Sequence, residues 1–193
     1  MHEVIEISRI ILDLCGGTGS WSKPYKDAGY DVRLIDPLHD GTDVRLFEIS
    51  AFELMNEKIY GILAAPPCTH FASSGARWWP GKGSQALQEG LSVVDACLRI
   101  IAVTQPVFWA LENPIGRLKK YIGNPVMYFN PCDYGDPYTK RTCLWGKFNV
   151  PKQTPVKPTE GSKMHRLPPG PDRWRLRSMT PQGFARAFFE ANQ

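Results

Sequence analysis

The stretch Arg9-Ile-Ile-Leu-Asp-Leu-Cys-Gly-Gly-Thr-Gly-Ser20 decides the fold. Its first half is an apolar run broken only by Asp13, which reads as a buried strand. Its second half is a glycine turn, and residues 21–28 read as a helix ended by Gly29. A strand, a glycine turn and a helix in succession open a nucleotide-binding α/β unit, because bare glycine backbone lets a ligand come close. Gly17-Thr-Gly-Ser-Trp-Ser22 lacks the third glycine of the dinucleotide fingerprint, so NAD is disfavoured. Asp13 stands at the end of the strand, directed toward the turn.

Working outward, residues 31–37 form a second strand candidate with Asp36 at its tip, where an acid commonly holds a ribose diol. Asp43 opens a short third element near the same edge. Residues 59–65, Ile-Tyr-Gly-Ile-Leu-Ala-Ala, read as another buried strand and run into Pro66-Pro-Cys68. Two prolines cannot continue a central strand, so the chain leaves the sheet there and carries a cysteine just past the strand's carboxyl end. That edge is where open α/β sheets bind ligands. Taken alone, Cys68 reads equally as a small buried hydrophobe.

Residues 69–83 hold small residues, the pair Trp78-Trp79 and the cations Arg77 and Lys82, and read as a loop free to move and touch nucleic acid. Residues 84–104 repeat apolar side chains at helical spacing. Residues 106–111 are a further buried strand that ends at Glu112-Asn113-Pro114. A short basic helix over 115–122 and strands over 125–129 and 142–145 complete the pattern. The proline-rich residues 148–172 read as a linker. Thr180-Pro181 opens a last helix, with Thr180 as N-cap and Phe184 and Phe188 on one face.

The chain has 193 residues, 42% of them apolar, and net charge +4. Residues 1–146 carry 14 Lys/Arg against 16 Asp/Glu, and residues 147–193 carry 9 against 3. A near-neutral body with a basic C-terminal quarter suits a polyanionic partner. Cys15, Cys68, Cys97, Cys132 and Cys143 are odd in number and show no C-x-x-C spacing. Neither a disulfide framework nor a metal site is indicated, which points to a reducing, cytoplasmic setting. No apolar run is long enough to span a membrane, and residues 1–6 do not resemble a signal peptide.

Asp13-Leu-Cys-Gly-Gly-Thr-Gly19, Pro66-Pro-Cys68, Glu112-Asn113 and Asp133-Tyr-Gly-Asp-Pro137 occur in this order. Together they resemble the DNA cytosine-5 methyltransferase family, in a compact form like those of phages and prophages. The resemblance spans residues 9–146 and, more weakly, 174–192. It implies an α/β, Rossmann-like class I S-adenosylmethionine-dependent methyltransferase fold, mostly parallel, with helices on both faces. It implies a catalytic domain over 1–146, a basic segment over 147–177 in place of the target-recognition domain, and a C-terminal helix over 178–193 packing back.

The implied reaction uses Cys68 as the thiolate that adds to cytosine C6 and Glu112 as the acid at N3, with DNA as partner and no membrane or metal. Asp13, Cys15, Gly16, Gly17, Gly19, Trp21, Asp36, Pro37, Asp43 and Pro66 would meet the cofactor S-adenosylmethionine. Pro67, Asn113, Lys140, Arg77 and Trp78 would meet the substrate. The family's Gln and two arginines after the Asp133–Pro137 motif are Tyr138, Lys140 and Thr142 here, so the contact to cytosine O2 falls to Arg141, to Lys140 or to neither. Thr69 stands where the family has Gln, and Pro114 where it has Val. About 30 residues remain for target recognition, so the basic stretch is expected to bind phosphate over relaxed sequence contexts. A tRNA cytosine-5 enzyme would share the same parts. A non-catalytic DNA-binding relative would not need both Cys68 and Glu112. An amino-methyltransferase would need a polar residue and an aromatic where Ala65 and Cys68 stand.

Overall fold

A computed structural model describes residues 9–50 and 57–193. The expectation about a signal peptide at residues 1–6 lies outside them. Among the described residues the strands are β1 (Ile10–Leu14), β2 (Asp31–Ile35), β3 (Ile59–Ala64), β4 (Phe108–Pro114), β5 (Met127–Phe129) and β6 (Thr142–Lys147). They form one sheet in the order β2-β1-β3-β4-β6-β5. The first four run parallel, and β6 is antiparallel to both β4 and β5.

Every residue of β1 is buried. A strand between two parallel neighbours has both faces covered, which is why its apolar run is nearly continuous. The helices are α1 (Lys23–Asp27), α2 (Trp79–Thr104), α3 (Lys119–Ile122), α4 (Lys163–Arg166), α5 (Arg173–Ser178) and α6 (Gln182–Ala191). One face of the sheet packs Leu12, Leu14, Ile62 and Ala64 on Val94, Cys97, Ile100 and Ile101 of α2. The other packs Ile11, Leu63, Phe108 and Ala110 on Tyr25 of α1 and on Phe184 and Phe188 of α6.

The expected strand at 106–111 is longer than its apolar run. β3 pairs with β4 only as far as Ala64 and Leu111, whereas β6 pairs with β4 on to Pro114 and Thr142. Glu112, Asn113 and Pro114 therefore belong to the strand and project past the end of β3. The antiparallel neighbour supplies the pairing that the sequence does not announce. The element at Asp43 is a single helical turn, Val44–Leu46.

The loop expected after Cys68 is also corrected. It forms helical turns at Cys68–His70 and Ser73–Trp78 and passes directly into α2, with a kink at Gly83 (φ 70°). Ser73 N and Oγ both donate to the Ile115 carbonyl, at 2.8 and 2.9 Å, and Arg117 N donates to the Phe71 carbonyl at 2.9 Å. Gly116 lies so close that a Cβ there would come within 1.8 Å of the Phe71 oxygen.

The proline-rich stretch is not a free linker. Thr154 N donates to the Asp133 carbonyl, Val156 N to that of Cys132 and Glu160 N to that of Pro137, each at 2.8–2.9 Å. Extended chain exposes backbone polar groups, and here the loop over 132–139 satisfies them. Thr180 does not cap α6, whose first flanking residue is Pro181 with no side-chain cap bond. Instead Thr180 N donates to Ser20 Oγ at 2.8 Å, and Gly183 N donates to Asp136 Oδ2 at 2.9 Å. These bonds fix the start of α6 to the glycine turn on one side and to the Asp133–Pro137 motif on the other. No helix of the described residues is long and apolar enough to cross a membrane.

Candidate active site

The carboxyl ends of β1, β2, β3 and β4 meet along one edge. Cys15 N donates to the Ile35 carbonyl and Ala65 N to the Leu14 carbonyl, each at 2.9 Å, so the chain exits of β1, β2 and β3 are held side by side. The edge carries two groups of side chains.

The first group surrounds the glycine turn. Asp13 is fully buried. Ser22 Oγ donates to its Oδ2 at 2.5 Å, while Oδ1 has no partner among the described residues. Burial, with the neighbouring charge of Asp36, pushes the Asp13 carboxyl up to about 7, against the Ser22 bond, which lowers it. Gly16 has no room for a side chain, because a Cβ would meet the Asp13 carboxylate at 2.4 Å. Gly17 has φ +53° and open space where a Cβ would project, so its bare backbone faces outward. Asp36 accepts from Gly17 N and Leu38 N, each at 2.9 Å. Next to it, Pro37 is exposed. Gly19 also has positive φ, and so does Cys15 (φ 57°), whose thiol is pushed up by the Cys97 thiol and by burial.

Two predicted cofactor residues are directed elsewhere. Trp21 is 2% exposed and packs edge-on against Phe188 at 5.4 Å and obliquely against Phe184 at 6.1 Å. It precedes α1 and falls on the sheet face that α6 covers, so its ring completes the core. Asp43 is half-buried, accepts from Arg45 N at 2.9 Å and pairs with the Arg45 guanidinium. His39, which the sequence did not single out, sets its Nε2 against the Gly17 carbonyl.

The second group surrounds the Pro-Pro-Cys turn. Cys68 is half-buried at the start of a helical turn, behind exposed Pro67. Glu112, half-buried on the overhang of β4, shares the sheet face of Phe108 and Ala110 by strand alternation. Burial and the Glu112 charge push the Cys68 thiol up, while Lys140 and Arg177 pull it down. Burial likewise pushes the Glu112 carboxyl up, with Lys140 opposing. Both groups are thus held toward their protonated forms, with the Lys140 charge opposing at each and the Arg177 charge at the thiol. Cys143, also within range of Glu112, is 3% exposed and pushed up to about 11, chiefly by burial. Cys68 is the more accessible sulfur.

Asn113, read from the sequence as a substrate contact, is fully buried on the α2 face, and its Nδ2 donates to the Pro66 carbonyl at 2.9 Å. Arg141 is exposed, and its guanidinium lies over the Tyr128 ring of β5 at 5.4 Å. Lys140 Nζ donates to the Met179 carbonyl at 3.4 Å, and its charge acts on both Cys68 and Glu112. Thr142 is fully buried. Arg177, which sequence reasoning missed, comes from α5 in the basic segment. Arg77 is exposed and stacked on Trp78. No group of described residues could hold a metal ion.

No protein-family model and no curated protein matches the sequence. Solved structures do. An E. coli prophage protein described as a DNA modification methyltransferase matches with TM-score 0.53 and 21% identity, over 78% of this chain and 53% of that one. The S. pombe Dnmt2 methyltransferase (TM-score 0.43, 12% identity, 77% of this chain and 52% of that one) and a Spodoptera frugiperda DNMT2 variant (0.39, 15%, 84% and 56%) are more distant. The chain spans about half the length of these neighbours. The likeness to the prophage protein and the strand order together give the fold: α/β, of the Rossmann-like methyltransferase type.

Proposed function

We propose that the chain transfers a methyl group from S-adenosylmethionine to C5 of cytosine in DNA, by way of a bond between Cys68 and C6 of the base. The observation that carries this reading is the meeting of Cys68, just past β3, and Glu112, on the neighbouring β4, at one strand edge, and the charges of Lys140 and Arg177 act on the sulfur.

The glycine turn fits the cofactor. Asp13 and Asp36 are two mutually opposed acids, and Asp13 has an unpartnered buried oxygen, so a cationic ligand is favoured beside them. Gly16, Gly17 and Gly19 would admit it to the backbone, and Asp36 would hold its ribose. S-adenosylmethionine supplies an electrophilic methyl group when bound.

The chain's own residues carry the rest. Cytosine C5 is a poor nucleophile until a thiolate adds to C6. Cys68 Sγ makes that bond, and the electron density it adds moves toward N3. Glu112, whose carboxyl burial pushes up and so toward the protonated form, donates a proton to N3, and its carbonyl oxygen accepts from the 4-amino group. Thymine, with N3–H and O4, offers the opposite pattern. Lys140 and Arg177 oppose the rise that burial and Glu112 impose on the Cys68 thiol, and so act toward the thiolate that starts the reaction. Once C5 carries the methyl group, water takes the C5 proton, and its bonding pair re-forms the C5–C6 double bond as the C6–sulfur bond breaks. N3 returns its proton to Glu112, and Cys68 leaves as the thiolate.

The test is incubation of the protein with S-adenosylmethionine and cytosine-containing DNA, single-stranded and duplex, followed by digestion and mass spectrometry of the nucleosides. 5-Methyldeoxycytidine is expected with the protein and absent with Cys68→Ser. Methylation that survives Cys68→Ser, or that lands on the amino nitrogen, would overturn the reading.

A further inference from the structure

Two exposed tryptophans stand beside arginines, one on the helical turns that follow Cys68 and one on α5. Trp78 is 59% exposed, and the Arg77 guanidinium lies 4.9 Å from its ring centroid. It ends the helical turns that begin at Cys68. Trp174 is 55% exposed on α5, one helical turn before Arg177, so the two share a face. Two residues on from Arg177, the Met179 carbonyl accepts from Lys140 Nζ at 3.4 Å, and Thr180 N donates to Ser20 Oγ at 2.8 Å, so the end of this segment is tied to Lys140 and to the glycine turn. The Lys140 and Arg177 charges both act on the Cys68 thiol. One tryptophan thus stands on the segment that follows Cys68, and the other on the segment that these bonds fix.

The segment that follows Cys68 is also held. Ser73, Phe71 and His70 are bonded to Ile115 and Arg117, the latter through Arg117 Nε donating to the His70 carbonyl at 2.7 Å. Lys82 Nζ donates to the Thr69 carbonyl at 3.1 Å. Taking a base out of a duplex costs its unpairing and unstacking, and that cost is least for a base already single-stranded. The described chain from His70 to Ser73 is bound at several points to Ile115 and Arg117, just past β4. An unpaired base avoids that cost. It needs aromatic rings on which its neighbours stack and cations that track the backbone. Trp78 with Arg77, Trp174 with Arg177, and the basic residues 147–193 supply both.

We infer that the substrate is cytosine in single-stranded DNA, with flanking bases stacked on Trp78 and Trp174. This deepens the cytosine methyltransferase reading and rests on it.

The experiment measures anisotropy of one labelled cytosine-containing oligonucleotide, alone and annealed to its complement, at fixed salt, and methyl transfer to each form. The single strand is expected to bind at least tenfold tighter and to be methylated at least tenfold faster. Trp78→Ala and Trp174→Ala should each weaken single-strand binding about fivefold or more, a change typical of one lost base–aromatic stack, and leave duplex binding nearly unchanged. Trp→Phe at either position should restore part of the loss. Equal or better methylation of the duplex would overturn the inference and leave the methyltransferase reading standing, and unchanged single-strand affinity in both alanine variants would also overturn it. Preferred binding of the single strand, lost in both alanine variants but with no transfer to either form, would overturn the methyltransferase reading and support the surface.

Discussion

Asn113 Nδ2 donates to the Pro66 carbonyl at 2.9 Å, so the overhanging end of β4 holds the turn that presents Cys68. Both groups are buried. Asn113→Ala leaves the Pro66 carbonyl unpaired, and its expected cost is about 1–3 kcal/mol of stability. The turn loses its anchor, and kcat should fall about tenfold to a hundredfold with cofactor affinity unchanged. Thermal unfolding, steady-state kinetics and cofactor titration together check this. An unchanged kcat would remove Asn113 from its positioning role.

The charges around Cys68 make the sulfur's reactivity a direct readout. Glu112 raises the thiol, so Glu112→Gln should shift the pH profile of Cys68 alkylation by iodoacetamide to lower pH. Lys140 and Arg177 lower it, so Lys140→Ala and Arg177→Ala should each shift the profile to higher pH. Arg141 lies over Tyr128, and Arg141→Ala should leave the profile in place. Mass spectrometry of the modified peptide across pH gives each shift.

Asp13 links the glycine turn to stability. Its native carboxyl is raised from 3.8 to about 7, so between these values the native state binds more protons than the unfolded one. Stability from this group therefore falls as pH rises from about 4 to about 7, by up to about 4 kcal/mol if nothing else titrates. Asp13→Asn should flatten that stretch of the stability curve and raise stability at neutral pH, while weakening cofactor binding. Urea unfolding at several pH values tests the sign.

The Asp133–Pro137 motif docks α6. A Cβ on Gly183 would come within 1.9 Å of the Tyr134 oxygen, and Phe184 stacks on Phe129 at 3.8 Å. Gly183→Ala is expected to cost about 2–3 kcal/mol by forcing the helix off the loop, and Phe184→Ala about 3–5 kcal/mol. Denaturant midpoints at constant m-value measure both.

Much of this was legible in the sequence, for physical reasons. β1, the glycine turn, β3 and the Pro-Pro-Cys turn are local features, set by apolar runs and by residues that forbid continuation of a strand. What tertiary contact decides was not legible. Trp21 beside a glycine turn looks like a cofactor platform until α6 arrives and takes its ring into the core. Lys140 and Arg141 are adjacent, yet Arg141 lies over Tyr128 while the Lys140 charge acts on Cys68, a difference that the exit into β6 decides. The Arg177 charge acts there too, on a segment whose end is fixed by the bonds from Thr180 to Ser20 and from Gly183 to Asp136. No local pattern announces those bonds. The segment after Cys68 reads as a free loop because of its own glycines, whereas Gly116, outside it, lets the backbone of Phe71 and Ala72 come close, and Ile115 and Arg117 bond to Ser73 and Phe71.

The central claim is the bond between Cys68 and the base. A single-stranded oligonucleotide with 5-fluorodeoxycytidine as its one cytosine, incubated with the protein and S-adenosylmethionine, tests it. Fluorine at C5 cannot leave as a proton does, so the sulfur cannot be released after methyl transfer. The account predicts a protein–oligonucleotide adduct that survives denaturation, maps to Cys68 and is absent in Cys68→Ser. Methylation of the unmodified oligonucleotide with no adduct on the fluorinated one, or an adduct on another residue, would contradict it.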